Sequence, residues 1–449
     1  MSEIVPQNRT FDELRVGDTA SLTRTIERND LARFDVLSPS SDAADGAFAT
    51  SSWLSGLVSI VLDTRLPGPG TTPLDQSFHF PKPVEFDDVV TATVRVAEKR
   101  PEGRRVLLEA LCVNRAGEPV LTGTVSVTAP DRRIVGRPAQ DRHSRYDAFV
   151  TAARTPPALR AGIVHPCSPE AISAAVEARD AGLLDPLLIG PEAKIRAAAE
   201  KAGVSLAGMT IEPTPHSHAA ATRAVELAAA GKLSALVKGS LHTDELLSAV
   251  VAPGSALRTE RRISHVYAMD IPAYPKPLIV TDAAINIQPT LEHKRDICQN
   301  AIDLCLTLGM HEPLVAVLAA VETVSPKMPA TLDAAALTVM AMRGQIIGAK
   351  VDGPLAFDNA ISPEAARTKE IRSPVAGHAD ILVVPDLESG NMLAKQLIYF
   401  AGATAAGLVL GAHVPIVLTS RADPLSARIA SAALAKLVAT IRPLKGPPK

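Results

Sequence analysis

The sequence has little of what marks several common classes of protein. Its 449 residues include only four cysteines, and these form no CxxC pair. Such scattered cysteines argue against a zinc site or a disulfide scaffold. The sequence also contains no GxxxxGK[ST] loop, no HExxH and no GxSxG, and no GxGxxG follows a predicted strand. It therefore lacks the fingerprints of P-loop proteins, dinucleotide-binding proteins, zinc proteases and α/β-hydrolases.

Long apolar runs and an excess of one charge are missing as well. No apolar run approaches the roughly 18 residues of a transmembrane helix, and the opening MSEIVPQNRTFDEL does not have the pattern of a signal or transit peptide. The formal net charge is −2, and no block of Lys and Arg is interleaved with aromatic residues. We therefore expect a soluble, cytoplasmic protein that binds neither nucleic acid nor a membrane.

The chain is long enough for more than one domain. Residues 1–130 have the alternating segments of an α+β domain with antiparallel strands, around one apolar helix at 50–62. Residues 131–158 are rich in Arg, Pro and Ala and are predicted to be a linker with a short helix in its second half. In residues 159–449, short apolar runs alternate with Ala-rich helical segments, as in the βαβ units of an α/β domain.

The first domain resembles a MaoC-type hotdog domain, the fold of R-specific enoyl-CoA hydratases. The resemblance rests on FDELRVGDTASLTRTI and LDTRLPGPGTTPLDQSFHFPKPVEFDDVVTATVRV. Family members carry a catalytic Asp and His in a segment SGDxNPxH, whereas this sequence has Ser40 in place of the Asp and no histidine before His79. Asp35, Asp42 and Asp45 are better explained as caps or loop residues. We expect the domain to have lost hydratase activity and to serve dimerisation or acyl-CoA binding.

In the second domain, polar or turn residues follow most of the predicted strands. These strands are residues 161–164, 186–189, 235–237, 277–280, 314–318, 381–384 and 415–418. Their exits at 165–166, 190–191, 238–240, 281–283, 385–386 and 419–421 are predicted to share one edge of a parallel sheet. Ligands bind at such an edge, where polar loops meet helix N-termini. Residues 402–407 are predicted to lie in a helix.

Several segments together resemble the phosphate acetyl/butyryltransferase family, with LVKGS and LRT closer to its butyryl branch. In chain order over residues 160–449 they include HPCSPEAI, LVKGSLHTDELLSAV, TDAAINIQPTLEHK, VDGPLAFDNAIS, ADILVVPDLESGNMLAKQ and VPIVLTSRAD. The resemblance implies two α/β lobes with a cleft between them, like isocitrate and isopropylmalate dehydrogenases. It also implies acyl-CoA + phosphate ⇌ acyl phosphate + CoA, with an acetyl to butyryl group, a ternary complex and no metal or cofactor.

The resemblance and the chemistry together indicate candidate catalytic residues. The transition state carries negative charge on the phosphate, the tetrahedral oxygen and the thiolate, so the site must supply cations and hydrogen-bond donors. Arg421 is expected to clamp phosphate with its planar fork. Ser420 and Asn286 are expected to stabilise the tetrahedral species. Asp423 is the only acid close to Arg421 and is the candidate base, with capping of the next helix as the alternative.

Further residues are predicted to bind the substrates. Arg258 and Lys238 are expected to replace an arginine that acetyl-branch enzymes have where this sequence has Leu246 and Leu247. The other candidates are Ser240, Asp282, Asp358, Asn359, Asp386, Asn391 and Lys395. A structural role is the alternative for these residues, above all loop capping by Asp282. Both families commonly form dimers, so the resemblance also implies a homo-oligomer.

Three other functions remain open from the sequence. The hotdog domain could still hydrate enoyl-CoA and pass acyl-CoA to the transferase, although the missing histidine argues against this. The chain could be a non-catalytic acyl-CoA-binding scaffold, which the intact Ser420 and Arg421 pair argues against. A dehydrogenase with the same two-lobed fold is disfavoured, because no carboxylate cluster for a metal is evident.

Overall fold

The computed structural model describes residues 7–26, 51–85, 88–134, 144–418 and 423–441. The chain divides into two compact units, Met1–Asp141 and Arg142–Lys449. The division falls within the segment predicted to be a linker.

In the described part of the first unit, one α-helix packs against a five-stranded antiparallel sheet. The strands are β1 (Thr19–Thr25), β2 (Thr72–His79), β3 (Val89–Arg100), β4 (Arg105–Val113) and β5 (Pro119–Thr128), and the helix is α1 (Ser51–Thr64). The sheet order is β1-β3-β4-β5-β2. Alternate residues of β3 and β4, such as Val94 and Leu108, are buried with Val58 of α1 in one apolar core, because side chains alternate between the faces of a strand. This is the arrangement that the hotdog resemblance predicts.

The segment that would carry hydratase chemistry, with Asp35, Ser40, Asp42 and Asp45, lies outside the described residues. His79 is the last residue of β2 and is exposed. It is a surface residue of this unit.

The second unit is built on an eleven-stranded sheet with helices on both faces. The strands are β6 (Leu159–Val164), β7 (Leu184–Gly190), β8 (Thr210–Pro213), β9 (Ala235–Lys238), β10 (Ser264–Asp270), β11 (Leu278–Thr281), β12 (Leu314–Leu318), β13 (Lys350–Leu355), β14 (Ile381–Val383), β15 (Thr404–Leu410) and β16 (Ile416–Val417). The helices are α2 (Ser144–Ala153), α3 (Pro169–Asp180), α4 (Glu192–Ala202), α5 (Ser217–Ala229), α6 (Thr243–Val251), α7 (Leu291–Thr307), α8 (Pro329–Met342), α9 (Phe357–Ile361), α10 (Pro363–Thr368), α11 (Leu387–Tyr399) and α12 (Leu425–Ile441). Helix α2 belongs to this unit, because Val150 and Ala153 are buried in its core.

The strand directions divide this sheet into two halves. Its order is β13-β12-β14-β11-β10-β15-β16-β9-β6-β7-β8. Strands β16, β9, β6, β7 and β8 are parallel to one another, and so are β11, β14, β12 and β13. Between the two groups, β10 and β15 make three successive antiparallel pairs. An odd number of reversals leaves the two groups running in opposite directions.

The prediction that six strand exits share one edge is therefore wrong. The exits of β6, β7 and β9 lie at what we call the β9 edge, and those of β11 and β14 lie at the opposite edge, the β11 edge. Residues 402–407 were also predicted wrongly, since most of them belong to strand β15 rather than to a helix. Within the described residues, no helix is long and apolar enough to span a membrane.

Candidate functional site

The exits of β6 and β9 are held together at the β9 edge by Ser240. Its hydroxyl donates to the carbonyl of His165 at 2.7 Å and accepts from the backbone N–H of Cys167 at 2.8 Å. In the sheet, β6 lies between β7 and β9. From β6 the chain continues to β7 and β8 on one side, and it then returns to the other side of β6 to form β9. The exits of β6 and β9 thus flank a topological switch point, where open α/β sheets bind ligands.

Gly239 explains how the two exits come so close. A Cβ at this position would lie 2.5 Å from the carbonyl oxygen of Val164 and 2.7 Å from that of His165. Any side chain would push the exits apart. In the sequence Lys-Gly-Ser, the glycine therefore permits the close approach and the serine hydroxyl fastens it.

Lys238 lines a small cavity of about 50 Å³ beneath this junction. Its ammonium group lies 3.3 Å from the carbonyls of Gly239 and Leu241. Ser168 and Glu170, at the start of α3, line the same cavity, as does Arg428 of α12. Most of the cavity lining is apolar and comes from β6, β9, α3 and α12, so Lys238 and Arg428 are among the few charged groups there, together with Glu170.

Arg428 connects the start of α12 to this edge. Its guanidinium makes a forked ion pair with Glu177 of α3, at 2.9 Å for the shortest contact, and donates to the carbonyl of Asp423 at 3.0 Å. Asp423 lies near Tyr267, whose pKa its charge helps to raise. Ser420 and Arg421, the central pair of the sequence-based site, lie outside the described residues.

His165 is a second titratable group at the β9 edge. Burial and the charge of Lys194 lower the pKa of its imidazole, so it is neutral near pH 7. Its Nδ1 is buried and has no hydrogen-bond partner among the described residues. Its φ of 54° lies in the left-handed region that non-glycine residues seldom adopt.

At the β11 edge, the carboxylate of Asp282 accepts hydrogen bonds from the loop that directly follows it. One carboxylate oxygen accepts from the backbone N–H groups of Ala284 and Ile285 at 3.0 and 3.1 Å. The other accepts from the N–H of Asn286 at 3.1 Å and from its side-chain amide at 2.5 Å. Asp282 is only 3% exposed. Its contacts are those of a loop anchor, and substrate binding by this residue stays a prediction.

The side-chain amide of Asn286 also has hydrogen-bond partners on both its nitrogen and its oxygen. Its side-chain amide donates to Asp282 and to the carbonyl of Ile263, and its oxygen accepts from Arg262 at 2.7 Å. Donation to an acyl oxygen would require one of these bonds to break. The role predicted for Asn286 is untested, and its present contacts orient the exposed Arg262.

The other predicted substrate-binding residues of this half form two further groups. Asp386 caps α11 by accepting from Ser389, and Asn391 of the same helix donates to the carbonyl of Ala283 at 3.1 Å. Asn359 donates to Glu322, which also pairs with Lys369, and Lys369 lies 3.6 Å from Asp358. Lys395 is exposed on α11. The first group adjoins the Asp282 loop, and the second surrounds the start of α9.

Arg258 lies away from Lys238, with which it was expected to act. It is exposed and lines an open groove of about 740 Å³ beside the loop that joins β15 to β16. That loop starts from the β11 edge. The structure therefore does not bring Arg258 and Lys238 together.

Sequence reasoning missed Arg428 and Tyr267. An arginine in the Ala-rich segment ARIASAALAK is a signal for the first, because a charge on a buried helix needs a partner. No comparable signal marked Tyr267, because strand β10 was itself missed. Among the described residues, no group of three or more His, Cys, Asp or Glu side chains is placed to hold a metal.

The fold and the joined strand exits define an α/β protein with a polar site at a sheet edge, and comparisons with known proteins specify it. A family model described as phosphate acetyl/butaryl transferase matches residues 214–436. The phosphate acetyltransferase of Rhizobium meliloti is 57% identical over 305 residues, which is 68% of this chain and 96% of that protein. The phosphate butyryltransferase of Clostridium acetobutylicum is 40% identical over 268 residues, 60% of this chain and 89% of that protein.

A solved structure agrees with these relatives. A branched-chain phosphotransacylase from Enterococcus faecalis V583 is 31% identical, with a TM-score of 0.56, over 62% of this chain and 99% of that one. The chain belongs to the phosphate acetyl/butyryltransferase family, and it is a transferase.

Proposed function

We propose that the second unit transfers a short-chain acyl group between CoA and phosphate, acyl-CoA + phosphate ⇌ acyl phosphate + CoA. The observation that carries this proposal is the 57% identity to a phosphate acetyltransferase over 96% of that protein's length. The β9 edge supports it physically, because Lys238 and the helix starts of α3 and α12 offer positive charge where phosphate and thiolate need it.

In the proposed mechanism, both substrates are held together and no cofactor takes part. A phosphate oxygen attacks the thioester carbonyl, the tetrahedral oxyanion collapses, and the thiolate of CoA leaves. Arg421, outside the described residues, is the proposed phosphate clamp, and Ser420 a donor to the tetrahedral species. A two-lobed arrangement with a substrate cleft, and assembly into a homo-oligomer, are parts of the same proposal.

The test is a thiol-release assay on the full chain with acetyl-, propionyl- and butyryl-CoA. We expect CoA release that depends on phosphate with at least one of the three substrates. Replacement of Arg421 by alanine should abolish this release. Thiol release at the same rate without phosphate would contradict the proposal, since it would indicate hydrolysis.

A further inference from the structure

The backbone of His165, at the exit of β6, is held in an unfavourable conformation by four hydrogen bonds. Its φ of 54° lies in the left-handed region, where glycine or asparagine is the usual residue. Its N–H donates to the carbonyl of Ile189 at 2.7 Å. Its carbonyl accepts from the N–H groups of Cys167 and Ser240, both at 2.9 Å, and from the Ser240 hydroxyl at 2.7 Å. The surrounding structure thus fixes the backbone from which the imidazole projects.

The side chain of His165 adds a second cost to the strained backbone. Arg104 and Glu370, the other described non-glycine residues with a positive φ, are exposed in connections between elements. His165 is only partly exposed, and its Nδ1 is buried without a hydrogen-bond partner among the described residues. A left-handed φ and an unpartnered buried nitrogen both cost free energy, and a glycine at position 165 would avoid both. Such costs at a ligand-binding edge point to a function for the imidazole.

The imidazole lies among the N-terminal ends of three helices. Burial and the charge of Lys194, in the first turn of α4, lower its pKa from the ordinary value of 6.5. Glu245, in the first turn of α6, opposes this shift in pKa, and His216, which caps α5, adds to it. Burial raises the pKa of the nearby Cys167 thiol, which therefore carries no charge near pH 7. The imidazole of His165 is thus a neutral base at that pH.

Acyl transfer to CoA requires a base of this kind. A thiol of ordinary pKa, about 8.5, is mostly protonated at pH 7, yet the thiolate is the nucleophile. A neutral imidazole can remove this proton, and the helix N-termini around it stabilise the negative charge that remains on sulfur. The position also fits, since His165 lies at the topological switch point beside β9, where open α/β sheets bind ligands.

We propose that His165 is a further catalytic residue, which takes the proton of the CoA thiol as the sulfur attacks the acyl phosphate. This inference rests on the proposed acyl transfer, and it gives His165 the role of base for which the sequence suggested Asp423. Because Nδ1 is buried, Nε2 is the nitrogen that accepts the proton.

The proton and the bonds balance in both directions of this step. The carbon–sulfur bond forms, the bond between the carbonyl carbon and the phosphate oxygen breaks, and the imidazolium of His165 returns the proton to the departing phosphate. In the opposite direction, His165 takes the proton of the attacking phosphate and gives it to the departing thiolate.

The test compares His165→Gly with the wild type in the full chain, with CoA and the acyl phosphate that the wild type uses best. Glycine adopts a left-handed φ without strain, so the variant should unfold at the same temperature as the wild type or higher. Its kcat at pH 7 should fall by roughly 100-fold, as expected for loss of a general base. Added imidazole should restore part of the lost turnover. An unchanged kcat would overturn the inference.

The pH dependence separates a base from a structural residue. Without the base, only CoA that is already ionised reacts, so kcat/KM for CoA should rise about tenfold per pH unit between about pH 6.5 and 8. The wild-type value should change less than about threefold over this range. His165→Asn, which also tolerates the left-handed φ, should behave like His165→Gly. Profiles parallel to that of the wild type in both variants would show that His165 is not the base.

The matched control is His311→Gly. His311 is exposed in the loop before β12, so its replacement should leave kcat within about twofold, with or without imidazole. If the pH signature appears in Asp423→Asn instead, Asp423 is the base and the inference is wrong. A wild-type chain without phosphate-dependent CoA release would overturn the proposed function, whereas a fully active His165→Gly would overturn this inference alone.

Discussion

Polar residues follow strands at both edges of the second sheet, yet these polar groups have different partners. At the β9 edge, Ser240 joins one strand exit to another, and Lys238 faces a cavity. At the β11 edge, the carboxylate of Asp282 accepts hydrogen bonds from the backbone of its own loop. The segment TDAAINIQPT carries much of the family resemblance, and the side chains of its Asp282 and Asn286 already have hydrogen-bond partners within the protein. A segment that carries a family resemblance therefore need not present side chains that are free of hydrogen-bond partners.

The largest difference in kcat between the two edges should appear when one glycine at each edge is replaced by alanine. A Cβ at Gly239 meets two carbonyl oxygens of β6 and its exit, and a Cβ at Gly390 meets the carbonyl of Asp282 at 2.9 Å. Gly239→Ala should lower kcat by about 100-fold, because displacement of about 1 Å at a site has that effect. Gly390→Ala should instead destabilise the fold by about 1–3 kcal/mol. Turnover and thermal unfolding of both variants measure this, and equal kcat losses would break the comparison.

Acid should weaken the structure beside the Asp282 loop. Burial lowers the pKa of His265 to about 4, against the partly opposing charge of Asp282. The folded state therefore prefers the neutral imidazole, and its stabilising effect is complete above pH 6.5 and is lost as the pH falls toward 4. By linkage, the free energy of unfolding should drop by about 2 kcal/mol between pH 7 and pH 5 through this group.

The matched control for this pH effect is His265→Gln, which cannot titrate. Urea unfolding at pH 7 and pH 5 should show a smaller acid-induced loss for the variant than for the wild type. The same loss in both proteins would show that other groups carry the pH dependence.

The smallest expected effect is that of removing a serine hydroxyl. Ser240 and Ser389 allow a matched comparison, because each hydroxyl makes two hydrogen bonds. Ser240→Ala removes the bonds between the exits of β6 and β9, and Ser389→Ala removes bonds to Asp386 alone. Each change should cost about 1–2 kcal/mol of stability. Only Ser240→Ala should also reduce kcat, by roughly tenfold. An equal reduction for Ser389→Ala would place the β11 edge in the chemistry as well.

Much of the second unit could be predicted from the sequence, because most of its strands are short apolar runs between helical segments. The run at β12 matches the predicted bounds, Leu314–Leu318. Strands β10 and β15 could not be predicted in the same way. The first, SHVYAMD, contains polar residues that are buried by pairing on both sides, and the second, TAAGLVL, has the small residues typical of a helix.

The missed strands also explain the error about the site. Because β10 and β15 make the antiparallel pairs, a sheet without them appears wholly parallel, and all exits then appear to share an edge. The candidates Lys238 and Ser240 follow from local sequence alone. Their separation from Asp282, Asn286 and Arg258 depends on strand pairing, which no local pattern encodes.

The proposed binding of acyl-CoA at the β9 edge can be tested through Cys167. This thiol is half-buried beside Gly190, whereas Cys112, Cys298 and Cys305 are buried, and burial raises the pKa of each of those three to about 12. Alkylation by iodoacetamide should therefore occur at Cys167 first, and Cys167→Ser should remove it. We expect saturating acetyl-CoA, without phosphate, to slow this alkylation severalfold. An unchanged rate at saturation would contradict binding at this edge.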